Sequence, residues 1–175
     1  MVTGALLCFF ATNPSFSLQF IVGGGILLSA VFAFITSSKS RHLQTSLKYH
    51  RLHAAGLLLY ALAVLFLATD TENFILITSF FLIYYGITEI IFSLQLLMIK
   101  EKLSLRRIVF RLVLGLLIAI GAVVIIVKSY VDQNQAILAS GIVLLVCGAN
   151  IVIFKTLLQS LDTHSNIVAK IEQAN

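Results

Sequence analysis

Phe74–Met98, FILITSFFLIYYGITEIIFSLQLLM, is an unbroken, mostly apolar run whose single charged residue is Glu89. The hydrocarbon core of a bilayer is about 30 Å thick and takes about 20 helical residues, so this stretch crosses it with length left for tilt. Its phrase Tyr85-Gly86-Ile87-Thr88-Glu89-Ile90-Ile91-Phe92 returns 62 positions later as Cys147-Gly148-Ala149-Asn150-Ile151-Val152-Ile153-Phe154. The run is therefore read both as a membrane helix and as the template of an internal repeat.

The rest of the chain has the same character. Of 175 residues, 59% are hydrophobic and 11% charged, and the mean hydropathy is +1.04. A soluble domain carries about 25% charged residues. With less than half that share, the surface must be solvated mainly by lipid, and a single membrane domain over residues 1–175 is expected. Cys8 and Cys147 lie in apolar runs without metal-ligand spacing, and both read as small apolar packing residues.

In chain order, Val2 to Ala11 is apolar but short, followed by the turn Thr12-Asn13-Pro14-Ser15. It reads either as a shortened first span or as the end of one that begins upstream. No Lys or Arg precedes Lys39, so the segment lacks the charged start of a cleaved secretory signal. Full spans are expected over Leu18–Thr36, Leu52–Ala68, Phe74–Met98, Ile108–Val127 and Ala136–Leu158. Leu43 and Leu47, one turn apart in the basic segment Ser37–Arg51, predict a short amphipathic helix on the headgroups. The tail, residues 159–175, predicts another on the cytoplasmic side.

Small residues recur at helical spacing. Gly25, Ser29 and Ala33 share one face, as do Gly115, Ala119 and Ala122, while Gly86, Gly141 and Gly148 mark two later helices. In lipid, where apolar surfaces gain nothing by meeting, such faces let helices approach closely.

The charges give the topology. Lys39, Arg41, Lys48 and Arg51 fall in one connection, and Lys100, Lys102, Arg106, Arg107 and Arg111 in another; Lys155 and Lys170 lie at the C-terminal end, leaving only Lys128 on the other side. Positive charge accumulates on cytoplasmic loops, so both chain ends are expected in the cytoplasm. The net charge of +5 belongs to this asymmetry and to anionic lipid headgroups. The basic connections are too sparse, and too poor in aromatic residues, for nucleic acid to be a partner.

The expectation is an all-α integral membrane protein with six transmembrane helices in three repeated hairpins, at roughly 1–36, 52–98 and 108–158. Polar turns at Asp70 and Asp132 precede the Gly86 and Gly148 phrases, and Gly56, Gly115 and Gly121 lie in the preceding helices. On these residues the sequence resembles the HdeD-like family of small bacterial inner-membrane proteins. The resemblance implies paired spans with glycine near the middle of the second, a link to acid or general stress, and no catalytic activity. The first unit departs from the pattern, with Leu28 where glycine is expected.

Glu89 is the candidate functional residue. An ionised side chain at a helix centre costs about 2.5–3.5 kcal/mol on insertion scales and usually faces a partner or water. Its expected neighbours are Tyr85 and Tyr84 one turn away, Asn150 in the repeated phrase, and Lys155, which the repeat places level with Ser93. The structural role, a helix–helix hydrogen bond or ion pair, is preferred over a proton-responsive or ion-contacting carboxyl. His50 and His53 could share a helix face, but Lys48 and Arg51 would repel a metal cation, so no metal site is expected. Protonation of these residues with His42 and His164 could add charge to the cytoplasmic face. Tyr49, Tyr60 and Tyr130 are expected to anchor at the membrane interface.

The sequence contains no phosphate-binding glycine loop, no H-E-x-x-H and no G-x-S-x-G, and no set of acid, histidine and nucleophile gathers at one depth. No cofactor and no enzymatic activity are expected. The leading reading is a non-enzymatic protein acting through packing with lipids, with copies of itself or with subunits of a larger membrane complex. The alternative is a small transporter or channel with Glu89 on a proton or ion pathway, weakened by the apolar Ile151 at the repeat-equivalent position.

Overall fold

The computed structural model describes residues 1–10, 16–39, 44–98 and 105–151. Among the described residues all regular structure is helical: α1 Val2–Phe10, α2 Phe16–Lys39, α3 Gln44–Leu67, α4 Thr71–Met98, α5 Leu105–Ser129 and α6 Gln133–Ile151. Two of the long helices, α4 and α6, begin where the sequence supplies an acceptor for orphaned amides. Asp70 Oδ1 accepts the Asn73 amide at 2.8 Å at the start of α4. Asp132 Oδ1 accepts the amides of Asn134 at 3.0 Å and Gln135 at 3.1 Å at the start of α6. Replacing such a cap with alanine costs about 0.5–2 kcal/mol. Asp70→Ala and Asp132→Ala are therefore expected to speed hydrogen exchange at the first amides of α4 and α6 respectively, and to leave the other helices unchanged.

Three helices are long and apolar enough to cross a membrane: Thr71–Met98, Ile108–Ser129 and Gln133–Ile151. In α2 and α3 the apolar parts, Gln19–Ile35 and Arg51–Leu67, are shorter. The 9 residues of α1 rise about 13 Å, matching the expected short first helix. The exterior is apolar, with Phe66 76%, Leu59 69% and Phe80 65% exposed. A helix apolar on all sides belongs in protein or lipid, so the fold is that of a membrane-associated helical bundle.

All six helices contribute to one core, represented in order by Leu7, Val22, Val64, Leu82, Ile118 and Leu144. α2 packs on α3, and the pairs α3–α4 and α4–α5 run antiparallel. The Gln19 side chain of α2 donates to the Val64 carbonyl of α3 at 2.7 Å, and Gly23 faces Leu65. Along α3 and α4, Tyr49 meets Glu89 and Tyr60 meets Thr78, so one index climbs as the other falls. Gly86 and Gly115 bring α4 and α5 nearly backbone to backbone; a Cβ on Gly86 would lie 2.8 Å from the Gly115 carbonyl oxygen. α6 runs beside α4, where the Tyr85 hydroxyl donates to the Cys147 carbonyl at 3.3 Å. α1 closes the ring, with Gly4 and Cys8 against Gly141 and Met1 against Gly148.

One expectation needs correction. The segment through Arg51 does not lie apart from the bundle as a surface helix, because α3 begins at Gln44 and already buries Tyr49 and His53. Of its described side chains, Tyr49 is taken up inside by the partners described below, while Arg51 is exposed. On α2, Val22, Gly23, Ile26 and Ala30 are buried; of the small-residue face, Gly25 is half-buried against Thr3 of α1, Ala33 is half-buried, and Ser29 is exposed with its hydroxyl on its own helix. The Lys155 region and the amphipathic tail lie outside the described residues.

Candidate functional site

Glu89 is fully enclosed, at 0% exposure. Its carboxylate is met from two other helices. Arg111 of α5 donates through Nε to Oε2 at 2.5 Å. On the other oxygen, the Tyr49 hydroxyl of α3 donates to Oε1, and His53 Nε2 approaches the same atom to 3.0 Å as an ion-pair contact. The ring nitrogen on the far side, Nδ1, lies 3.2 Å from the Tyr49 backbone carbonyl. Tyr49, His53 and Arg111 are all buried as well.

The helix pairing explains why these groups converge. Glu89 lies one turn beyond Gly86 on α4, and Arg111 one turn before Gly115 on α5. In an antiparallel pair locked at the two glycines, both displacements run toward the same end. Gly115 also makes room for the acid, since a Cβ there would sit 2.9 Å from Glu89 Cβ. Tyr49 and His53, four apart on α3, stack one above the other on one face.

Aromatic rings surround the charges. The Arg111 guanidinium carbon lies 4.6 Å from the Tyr49 ring centre and 5.8 Å from that of Phe92, within the range of cation–π attraction. His53 meets Tyr49 at 4.0 Å between ring centres and Tyr85 edge-on at 5.0 Å. The arrangement compensates a buried carboxylate with a cation, a hydroxyl and an imidazole, inside a shell that excludes water.

The expected neighbours of Glu89 divide. Tyr85 and Asn150 are both in the neighbourhood, and Asn150 Nδ2 donates to the Tyr85 hydroxyl at 3.5 Å. The Tyr85 hydroxyl goes to Cys147, and its ring meets the His53 ring edge-on. Tyr84 turns away and donates to the Leu52 carbonyl at 3.1 Å. Lys155 lies outside the described residues, and the observed cation is Arg111. Tyr49 and Tyr60 do not anchor at an interface: both are buried, and Tyr60 pairs with Thr78 at 2.9 Å. Tyr130, at 74% exposure, is free to do so. Among the described residues, no three His, Cys, Asp or Glu side chains are placed to hold a metal ion.

Fold and site together define an all-helical, membrane-associated bundle whose α3, α4 and α5 are joined by a buried charge cluster. Compared with family models, curated proteins and solved structures, the chain matches none.

Proposed function

We propose that the chain is a multi-pass protein of a bacterial inner membrane, similar to the HdeD-like family, with six spans in three repeated hairpins and its basic ends in the cytoplasm. In this reading it acts without catalysis, through packing with lipids, with further copies or with partner subunits, and the family resemblance carries a link to acid or general stress. The observation that supports it best is the enclosure of Glu89, whose two oxygens are both occupied by side chains of neighbouring helices. A carboxyl on a transport route must exchange with water or a substrate; this one is committed to holding helices together.

A second reading, a small transporter or channel, draws on the same cluster, because ionisable groups facing a bundle interior often mark pathways. Proton and ion flux in proteoliposomes separates the two. The structural reading predicts flux at the protein-free background for the parent protein and for Glu89→Ala. Flux above background in the parent, abolished by Glu89→Ala, would replace it with the transport reading.

A further inference from the structure

We propose that the seam between α3 and α4 holds one acyl chain of a bilayer phospholipid, from the leaflet on the Asp70 side. The proposal rests on the membrane-spanning reading given above. Along this seam the two helices leave a groove of about 330 Å³. Its floor is the buried Tyr60 ring stacked on Phe81, with ring centres 4.3 Å apart and planes 9° from parallel. The exposed side chains of Leu59 and Phe80 form its rims and open it to the exterior. At one end the Tyr84 ring lies against Gly56, where a glycine leaves room for it to cross α3. The other end lies between Ala63 and Ile77.

The lining suits hydrocarbon. Its two hydroxyls are already engaged, Tyr60 with Thr78 at 2.9 Å and Tyr84 on the Leu52 carbonyl at 3.1 Å. Apolar cavities of this kind stay dry and take apolar ligands. Size selects among apolar occupants. Seven residues separate Gly56 from Ala63, about 10 Å of helix, which gives the groove a mean cross-section of about 30 Å². A helix with its side chains is 10–12 Å across, about 80 Å² or more. A helix of a second copy therefore cannot enter, whereas a single hydrocarbon chain can. Depth selects the leaflet. Ile77 and Tyr84 stand three and ten residues into the apolar run that starts at Phe74, about 5 and 15 Å along the helix. In a hydrocarbon core about 30 Å thick, the groove spans one leaflet, from just below the Asp70 turn to the midplane. That turn carries Asp70 and Glu72 and no Lys or Arg, so the site grips the chain and not an anionic headgroup.

A phosphatidylcholine carrying a photoactivatable diazirine midway along one acyl chain is the probe, with the protein held in nanodiscs. After irradiation the adducts are mapped by mass spectrometry. The reference is Leu117, Ile120 and Val124 of α5, which are exposed and stand at the same level because Gly115 lies beside Gly86. Labelling per residue is expected to be several-fold higher at Leu59, Ala63 and Phe80 than at these three. Ala63→Phe, which fills the groove, is expected to bring labelling there down to the α5 level and to leave α5 unchanged. Equal labelling of the groove and α5 in the parent protein overturns the proposal, whether the groove is empty or a second copy's side chains occupy it. So does a folded Ala63→Phe variant that labels like the parent. The comparison within the parent decides the matter even if that variant fails to fold. An absence of adducts on both α5 and the groove would instead overturn the membrane-spanning reading, and the site with it.

Discussion

Arg111→Ala is expected to cause a large loss of folded protein, of order 3–5 kcal/mol, because it leaves the carboxylate of Glu89 buried without its cation. Purified in detergent, the variant should show a lower yield of monodisperse protein and a markedly lower unfolding midpoint. The cost lies in the orphaned charge more than in the worth of the pair. Desolvating two ions offsets most of their attraction, and replacing both by apolar groups of similar volume is often neutral. The double substitution Glu89→Leu with Arg111→Leu is therefore expected to recover most of the loss. A double variant as unstable as the worse single would show that the cluster contributes through its polar contacts to Tyr49 and His53, not through charge balance.

The second large effect is steric. Gly86→Val and Gly115→Val place carbon where α4 and α5 pass nearly in contact. From Gly86 a Cβ meets the Gly115 carbonyl at 2.8 Å and the Ala119 amide at 2.9 Å. Both are backbone atoms that cannot rotate aside, so the helices must separate. Overpacking costs about 1–3 kcal/mol, occasionally more. Separation here also stretches Arg111 away from Glu89, so the loss should exceed that range's lower end. Gly24→Ala is the matched control: nothing lies within 4 Å of its added carbon, and the higher helix propensity of alanine is worth up to about 1 kcal/mol. The two crossing variants should lower the unfolding midpoint, while Gly24→Ala leaves it level or raises it. Equal behaviour at all three sites would mean that the close approach of α4 and α5 does not hold the bundle.

Several of these features were legible in the sequence. Apolar length and the scarcity of charge identify the helices of the membrane-associated bundle, and the polar turns at Asp70 and Asp132 mark where α4 and α6 begin. Glu89 is conspicuous because it is an acid in an apolar run. Its partners were harder to read. Tyr49, His53 and Arg111 each sit in or beside a basic segment, and composition alone makes such segments look like connections. Burial is decided by what faces them across the bundle. The available signal was geometric: Glu89 and Arg111 each stand one turn from a glycine, on the side that an antiparallel pair brings together. The repeated phrase instead directed attention to Lys155. On α2, spacing singled out Gly25, Ser29 and Ala33; Gly25 lies against Thr3 of α1, and the buried positions beside it are Val22, Gly23, Ile26 and Ala30.

The account rests on a bundle held in lipid with its basic connections at one end. Single cysteines at Lys39 and Lys102, compared with Glu72 and Gln133, can be labelled with a membrane-impermeant maleimide in sealed inverted vesicles, using the parent protein as the blank for Cys8 and Cys147. The account predicts that positions 39 and 102 react in the intact vesicles and that 72 and 133 react only after the membrane is opened. Positions 39 and 102 found on opposite sides, or all four reacting alike with no dependence on the membrane, would contradict it.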